Sequence, residues 1–407
     1  MNITIEDLCN RAELRLYELK YMESTINEYR KGFRELLDFS NNLGQTLYTS
    51  EVGKNFINGP PLRDNTNKNG FYRIKKRKHI VQLFDEYIKD GCFHFEKLHT
   101  NVLQVTPATE VYIRVLNDFV TYLRSTELSE NTIQSYRTPA YHLLDFFEKR
   151  GLYSLDQVHI DILHDFINSS RDYWKETGGL RNALCGLRAF SKYITRPDLY
   201  CFFSEIRSPR SKHIIPVLTE DEQEKIWVLL ESNQLSLRNK AIVLLSLTSG
   251  IRASDIVAMR LCDLDWANDR YSFIQAKTGN SVTHPLLPAV GNAIVNYILY
   301  ERPKNSIDHV FLRSLAPYHP LSGHASVYNI IKHALLKAGV SFDKRICGTT
   351  LLRHNVASSM LRNGVRQEVI ASVLGHADPD TTSIYISTDE ERLRKCVLPV
   401  IRREAAT

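Results

Sequence analysis

The stretch STINEYRKGFRELLDFSNNLG at residues 24–44 recurs as NTIQSYRTPAYHLLDFFEKRG at residues 131–151. The two copies align without gaps at an offset of 107 and share nine identical residues in 21 positions. Apolar residues keep helical spacing in both copies, which predicts one helical module used twice in the chain. Two unrelated amphipathic helices are the alternative interpretation.

A second helical stretch with basic residues follows each copy of the repeat, at residues 73–91 and 179–194. The first begins with five cations and the second carries two arginines: Arg73, Lys75, Lys76, Arg77, Lys78, Arg181 and Arg188. A charge run at a helix start is often only a solvated face. Because basic residues recur at the matching place in both modules, we interpret them as contacts to nucleic-acid phosphates.

A change of composition near Phe203 indicates a linker. Residues 204–216, SEIRSPRSKHIIP, lack hydrophobic periodicity and contain prolines, serines and the basic residues Arg207, Arg210 and Lys212. Thr219 and Glu222 then have the spacing of a capping box that opens a helix. We therefore predict helical modules at 1–105 and 108–200, a basic linker at 201–213 and a further domain from 214 onward.

The last domain is predicted to be mostly helical with one small antiparallel sheet. Residues 261–288 alternate apolar and polar side chains between Asn-Asp and Thr-Gly-Asn turns, a pattern typical of short antiparallel strands. Helical spacing predicts helices at 219–232 and 237–248, another from Ala253, and more at 288–300, 325–339, 350–363 and 365–374. The fold class is therefore mainly α.

The composition describes an ordinary globular chain of 407 residues, long enough for two or three domains. A formal charge of +6 is a mild hint of a polyanionic partner. The seven cysteines are scattered singly, with no C-x-x-C pair and no histidine at ligand spacing. No apolar run approaches the length of a membrane span. We expect a soluble, cytoplasmic, nucleoid-associated protein without a membrane partner.

Four motifs in the last domain carry chemically active side chains: TSGIRASDI at 248–256, QAKTGN at 275–280, TTLLRHNVASSML at 349–361 and LGHADPDTTSIYIS at 374–387. In this order and spacing they resemble the tyrosine recombinase family, the phage-integrase-like enzymes that cut and rejoin DNA at specific sites. The resemblance implies a SAM-like core-binding domain at 108–200 and a catalytic domain at 214–390. The duplicated module at 1–105 is less usual for the family.

Tyr385 is the nucleophile that these motifs offer. A phenol with a pKa near 10 is ionised in only about one molecule in a thousand at pH 7, so it needs cations worth roughly 4 kcal/mol. Arg252 and Arg353 offer planar, permanent charges that fit a phosphate and its transition state. A metal route would need clustered carboxylates or histidines, and we find no such set in the sequence. We therefore expect covalent catalysis with no metal, no ATP and no cofactor.

The resemblance assigns further site residues. Lys277, beside the Thr-Gly-Asn turn, matches the hairpin lysine that protonates the leaving 5'-oxygen. His376 matches the family's second histidine position and is expected to hydrogen-bond the scissile phosphate. Asp255, three residues after Arg252, is expected to orient that arginine without touching the substrate.

The sequence departs from the family at one position. The family usually has His-x-x-Arg in its second box, and here Thr350 stands where that histidine is expected. A threonine can donate a hydrogen bond but cannot act as a general base near neutral pH. We keep Thr350 in the site as a phosphate donor. Either the cationic pocket suffices to activate Tyr385, or another histidine such as the adjacent His354 replaces the missing base.

The expected partner is double-stranded DNA with specific recombination sites. The resemblance implies a homotetramer that exchanges strands to integrate or excise a mobile element, and it leaves open an accessory factor that sets direction. The tail at 391–407 has apolar residues at helical spacing and is expected to dock either on its own domain or on a neighbouring copy. Two other functions stay open. They are a decayed, non-catalytic DNA-binding relative and a topoisomerase-like enzyme that relaxes supercoils by the same covalent step.

Overall fold

The computed structural model describes residues 3–59, 70–95, 107–176, 179–207, 215–342, 345–376, 382, 384 and 385. The chain divides into two compact units, one made of Met1–Leu98 with His213–Thr407 and the other of His99–Lys212. Within the described ranges, every helix is too short or too polar to cross a bilayer. The domain boundaries predicted above stay a prediction.

The N-terminal module contains four described helices. They are α1 Ile5–Glu18, α2 Glu23–Asn42, α3 Ser50–Asn58 and α4 Gly70–Asp90. The side chain of Thr4 caps α1 by accepting from Asp7 N–H, and that of Thr49 caps α3 by accepting from Val52 N–H. Aliphatic and aromatic side chains from all four helices form one buried core.

The next module, described by itself, has five helices. They are α5 Glu110–Ser125, α6 Glu130–Lys149, α7 Ile160–Glu176, α8 Leu180–Tyr193 and α9 Pro197–Glu205. Its separate hydrophobic core includes Phe119 and Phe190, whose rings meet edge to face. The burial of these large rings stabilises the helix packing through the hydrophobic effect.

Both copies of the sequence repeat are helical, as predicted, and they form α2 and α6. The aligned residues Leu36 and Leu143 are fully buried in their respective cores. The turns before these helices also match, because Lys20 and Glu127, which lie at the same offset of 107, both have φ of 58°. The shared pattern thus extends from sequence to backbone geometry.

The two modules achieve close helix packing with glycine on different helices. In the N-terminal module, a Cβ at Gly32 of α2 would collide with Ile80 of α4. Gly32 aligns with Pro139 of α6, and there the glycine lies on the opposite helix, because a Cβ at Gly186 of α8 would collide with Pro139 and Tyr136. Gly186 is required because backbone atoms of Tyr136 lie too close for a Cβ, whereas at Gly32 the close atoms are the ends of the Ile80 and Lys76 side chains.

The basic block on α4 requires a correction. Arg77 is only 3% exposed, pairs with Glu35 of α2 at 2.7 Å, and donates to the carbonyls of Phe56 and Gly59, both at 2.8 Å. Its charge is therefore used inside the module and is not available to a phosphate. Arg77 fails as a DNA contact because the carboxylate that neutralises it lies on another helix.

Two more cations of the block are partly used in the same way. Arg73 bonds to Glu35 through two nitrogens, and Lys76 pairs with Glu28 at 3.2 Å. Lys75 and Lys78 are exposed, as expected for residues that meet a polyanion. The block therefore divides into a structural face and an exposed face.

The other predicted DNA contacts differ in exposure. Arg181 and Arg207 are exposed, whereas Arg188 is half-buried and its Nε donates to the carbonyl of Phe203 at 3.0 Å. Arg210, Lys212 and the tail at 391–407 lie outside the described residues.

The C-terminal part of the chain, from residue 215 onward, has seven described α-helices and three described strands. The helices are α10 Glu220–Glu231, α11 Leu237–Ser249, α12 Ala253–Ala258, α13 Pro288–Tyr300, α14 His324–Lys337, α15 Thr349–Arg362 and α16 Gln367–Leu374. The strands β1 Leu264–Asp265, β2 Arg270–Ile274 and β3 Ser281–Pro285 form one antiparallel sheet in the order β1-β2-β3. The fold is therefore mainly helical with one small sheet, as the sequence predicts.

The local signals in this part are confirmed. Thr219 and Glu222 form the predicted capping box at the start of α10. Burial alternates along β2 and β3, which places Tyr271 and Phe273 of β2 on the buried face with His284 of β3. This hairpin positions the turn that carries the predicted lysine.

The contacts of Arg77 generate a stability prediction. Arg77→Met should destabilise the N-terminal module by about 3 kcal/mol, because a buried pair loses one partner. Amide protection in α4, measured by hydrogen exchange on the full chain, should fall by roughly 100-fold. The matched control is Lys78→Met, which removes an exposed cation from the same helix and should change little. Equal losses in both variants would refute the structural assignment.

The pairing of Glu35 generates a pH prediction. Burial opposes ionisation, but hydrogen bonds from Arg77 and Arg73 hold the pKa of Glu35 below its usual range. The ionised carboxylate therefore stabilises the fold at neutral pH, and this contribution is lost as the pH falls below about 4.3 and through the folded-state pKa. Amide hydrogen-exchange protection in α2, corrected for intrinsic exchange, should decline as the pH is lowered in the wild type and in the exposed-site control Glu6→Gln. The decline should be smaller in Glu35→Gln. Parallel declines in all three proteins would contradict the prediction.

Candidate active site

The two predicted arginines meet where α11, α12, α15 and α16 converge. Arg252 immediately precedes α12 and lies two residues after Gly250, the C-cap of α11, whose φ of 63° is in the left-handed region. Arg353 lies in the second turn of α15 and is 8% exposed. Its Nη1 donates to the carbonyl of Gly250 at 2.9 Å, and its Nη2 donates to the carbonyl of Leu374 at 2.6 Å. Helix α15 therefore delivers Arg353 to the C-terminal ends of α11 and α16.

These acceptors fix Arg353 without cancelling its charge. A helix C-terminus leaves its last carbonyl groups without helical partners, and those carbonyls carry partial negative charge. Within the described part of the chain, neither Arg353 nor Arg252 forms an ion pair with a carboxylate closer than 4 Å. Burial, together with the charge of Arg252, lowers the pKa of Arg353 to about 10. A buried guanidinium whose pKa is lowered by a second nearby cation makes a site suited to an anion.

Gln275 links the two arginines. This buried side chain follows β2, and its Oε1 accepts from Arg252 Nη1 at 2.5 Å and from Thr278 Oγ1 at 2.8 Å. Its Nε2 donates at 3.0 Å to the carbonyl of Leu374, which also accepts from Arg353. The amide of Gln275 therefore holds Arg252 and the hairpin turn directly, and it is connected to Arg353 through the shared Leu374 carbonyl.

The glycine after α16 makes room for this amide. Gly375 ends the helix with φ of 64°, and a Cβ at this position would overlap the side-chain amide of Gln275. Both the backbone conformation and the close approach require glycine here. The Gly-His pair quoted from the sequence is thus a helix C-cap as well as part of the site.

Asp255 holds the hairpin turn from the other side. Its carboxylate is buried in α12 and accepts from the backbone N–H of Ala276 at 3.0 Å. Burial raises the pKa of Asp255, although the Ala276 N–H and the charge of Arg252 oppose this. The contacts of Asp255 therefore fix the hairpin turn, and its predicted role in orienting Arg252 stays a prediction.

Tyr385 is 2% exposed and packs against Ala357, Ile370 and Leu374. Its hydroxyl lies 3.1 Å from Nδ1 of His354. Burial raises the pKa of Tyr385, whereas the charge of Arg353, a hydrogen bond from it and the charge of Arg252 act in the opposite direction. The phenol is therefore neutral at pH 7, and it lies within the electrostatic reach of both arginines.

His376 lies beside the tyrosine at the end of α16. Its Nδ1 is 2.7 Å from Oγ1 of Thr382, and its ring is nearly parallel to that of Tyr385, with centroids 6.5 Å apart. Burial and the charges of Arg353 and Arg252 lower the pKa of His376 to about 4. A neutral His376 that accepts from Thr382 at Nδ1 presents an N–H at Nε2.

The structure brings together most of the predicted site residues. Arg252, Asp255, Arg353, His376 and Tyr385 belong to one connected group, which also includes His354. Two predicted residues lie at its exposed edge: Lys277 in the turn between β2 and β3, and Thr350 in the first turn of α15.

Sequence reasoning missed two residues. Gln275 stands in the quoted QAKTGN motif, but its spacing from Arg252 gives no sign that the two side chains meet. Thr382 is one of the two threonines in the last motif, and only the fold shows that it contacts His376. A polar residue that ends a predicted strand beside a lysine-bearing turn is the signal that singles out Gln275.

Comparisons with known proteins identify the family of this chain. Residues 216–392 match the model of the phage integrase family, and residues 116–197 match the model of the phage integrase N-terminal SAM-like domain. The chain is 30% identical over 305 residues to the integrase/recombinase y4rA of Sinorhizobium fredii, covering 74% of this chain and 72% of that protein.

A second relative and a solved structure extend the comparison. The tyrosine recombinase XerD of Oceanobacillus iheyensis is 26% identical over 296 residues, covering 69% of this chain and 95% of the relative. The XerH recombinase, solved in a post-cleavage complex with its palindromic difH substrate, matches the fold with a TM-score of 0.55 at 19% identity, covering 65% of this chain and 78% of that one. The chain belongs to the phage integrase family of tyrosine recombinases, which are enzymes that cut and rejoin DNA strands.

Proposed function

We propose that this chain is a site-specific recombinase in which Tyr385 attacks a DNA phosphate and forms a 3'-phosphotyrosine. One observation carries the proposal: the Tyr385 hydroxyl is buried in the part of the fold where Arg353 is held by the carbonyls of Gly250 and Leu374. The charges of Arg353 and Arg252 both act to lower the pKa of this phenol. A phenol and two uncompensated guanidinium groups in one pocket suit attack on a phosphate diester. The covalent intermediate would conserve the bond energy for rejoining.

The remaining groups have roles that their positions support. Lys277 is proposed to protonate the leaving 5'-oxygen, and the bonds from Asp255 to Ala276 and from Gln275 to Thr278 fix the turn that carries it. His376 is proposed to donate from Nε2 to the phosphate. Thr350, exposed one helical turn before Arg353, is proposed as a further hydrogen-bond donor. Because Tyr385 is shielded from solvent, DNA binding must also open access to its hydroxyl.

The partners are proposed from family membership and exposure. Double-stranded DNA with specific recombination sites would contact exposed cations, among them Lys75, Lys78, Arg181 and Arg207. Arg210 and Lys212 keep their predicted role but lie outside the described residues. Four copies would join two duplexes to integrate or excise a mobile element, with an accessory factor as one way to set direction. The docking of the tail at 391–407 also remains a prediction.

Removal of the Tyr385 hydroxyl tests the chemistry. Tyr385→Phe should abolish covalent protein–DNA complexes on a nicked substrate that traps the cleaved strand, while DNA affinity stays near the wild-type value. Arg353→Gln should slow complex formation by about 100-fold or more, because one stabiliser of the transition state is lost. Detection of complexes on denaturing gels measures both effects.

A matched control is Tyr297→Phe, which removes another buried hydroxyl from the same domain, one that accepts from Leu312 N–H. This variant should retain cleavage. A wild-type chain that forms no covalent complex would support the decayed DNA-binding alternative. Relaxation of a one-site plasmid without recombination of a two-site plasmid would support the topoisomerase-like alternative.

The bonds of Gln275 generate a second test. Gln275→Met keeps the side-chain length but removes the amide that fixes Arg252, so the cleavage rate should fall by roughly 100-fold from misplaced catalytic groups. Thr278→Val removes only the bond from the turn to this amide and should cost less. Single-turnover cleavage rates measure the difference. A rate for Gln275→Met equal to that of Thr278→Val or of the wild type would refute the linking role.

A further inference from the structure

We propose that His354 accepts the proton of Tyr385 in this chain, because its Nδ1 is already 3.1 Å from the phenol oxygen and position 350, where a basic histidine would be expected, holds threonine. The inference rests on the proposed function and deepens it. It identifies the missing base and assigns His354 a direct catalytic role.

The geometry of the pair suits proton transfer. Helix α15 carries both Arg353 and His354, so the residue that binds the phosphate and the residue that faces the nucleophile are fixed by one backbone. The rings of His354 and Tyr385 are 5.4 Å apart between centroids, with an interplanar angle of 58°. A distance of 3.1 Å between heavy atoms is within the range required of a general base.

The protonation state also suits an acceptor. Burial and the adjacent charge of Arg353 lower the pKa of His354 to about 4, so the ring is neutral at pH 7. A neutral imidazole has one nitrogen that accepts a hydrogen bond. If Tyr385 donates its O–H to Nδ1, then Nε2 of His354 carries the hydrogen.

The other described groups near the phenol are poorer acceptors. His376 already uses Nδ1 on Thr382, and its ring centroid lies 6.5 Å from that of Tyr385, farther than the 5.4 Å of His354. Arg353 and Arg252 are donors only. Thr350 cannot hold a proton taken from a phenol. His354 is therefore the group with both a free lone pair and contact with the reacting oxygen.

Strand cleavage in this proposal exchanges one bond at phosphorus and moves two protons. The O–H bond of Tyr385 breaks and its proton passes to Nδ1 of His354, while the phenol oxygen forms a bond to phosphorus. The bond from phosphorus to the 5'-oxygen breaks, and that oxygen takes a proton from the general acid proposed above, Lys277. During rejoining, the imidazolium of His354 returns its proton to the departing phenol oxygen.

The incoming phosphate makes this transfer easier. Burial and the charge of Arg353 keep His354 neutral in the free chain, and the negative charge of the phosphate diester would offset the second of these effects. The same two arginines would stabilise the developing phenolate. The charged and titratable groups around this site are Arg353 on the same helix, Arg252 before α12, His376 after α16 and Tyr385 itself, and among them Arg353 lowers the pKa of His354.

The test compares cleavage rates of the wild type and His354→Asn over a range of pH. Asparagine can occupy the Nδ1 position and hydrogen-bond the phenol, but it cannot take its proton. Covalent complex formation on the nicked substrate should slow by about 100-fold or more at pH 7, as expected for loss of a general base. The difference in rate between the wild type and His354→Asn should narrow as the pH rises, because an ionised phenol needs no base. DNA affinity should not change.

A second substitution distinguishes chemistry from folding. Thr350→His in the His354→Asn background adds a histidine one helical turn before Arg353, and it should recover part of the lost rate if the defect is a missing base. The proposal would be overturned if His354→Asn cleaved more slowly than the wild type by the same factor at every pH and Thr350→His recovered none of the lost rate. His354 would then have a structural role only. An unchanged or faster rate in His354→Asn would also overturn it.

The outcome for the wild type separates this inference from the function on which it rests. A wild-type chain that forms no covalent complex would overturn the proposed function together with the role of His354. A wild-type chain that forms the complex, with His354→Asn cleaving at the same rate, would overturn only the role of His354.

Discussion

The site depends on one arrangement: a buried guanidinium, Arg353, held by backbone carbonyls at the ends of two helices. The carbonyls of Gly250 and Leu374 satisfy its N–H groups and fix its direction. Because these acceptors are neutral groups with partial charges, they leave most of the positive charge uncompensated. Gly250 at the end of α11 lies directly against Arg353, and Gly375 after α16 leaves room for the amide of Gln275. The fold thus holds a rigid cation whose charge a bound anion can neutralise.

The N-terminal module shows the opposite use of the same residue type. Arg77 is also buried and also donates to two backbone carbonyls, but it faces the carboxylate of Glu35 as well. The carboxylate compensates the charge, so Arg77 joins α2 to α4 and offers little to a phosphate. Whether an arginine serves stability or anion binding is decided here by one neighbouring acid, and that acid lies 42 residues away in sequence.

The clustering of several functions on α15 has a consequence for chemistry. Its first two turns carry Thr350, Arg353 and His354, and the last of these contacts Tyr385. A short rigid helix limits the relative movement of Arg353 and the proposed base, which would favour the proposed catalysis by preorganisation. Gln275 extends this rigidity to Arg252 and the hairpin turn. The substitution of threonine at position 350 is therefore compatible with an intact nucleophile pocket.

The sequence by itself determined the helical modules and their duplication, the capping box at Thr219, the small sheet and the identity of Arg252, Arg353, His376 and Tyr385 as candidates. Local periodicity, caps and turn residues encode such features, because they act between neighbours in the chain. Only the tertiary structure decided that Gln275 bonds to Arg252, that His354 faces the phenol of Tyr385 and that Glu35 neutralises the charge of Arg77. Those outcomes depend on side chains that lie far apart in sequence and meet only when helix ends pack together, and no local pattern specifies which partner each buried charge will find.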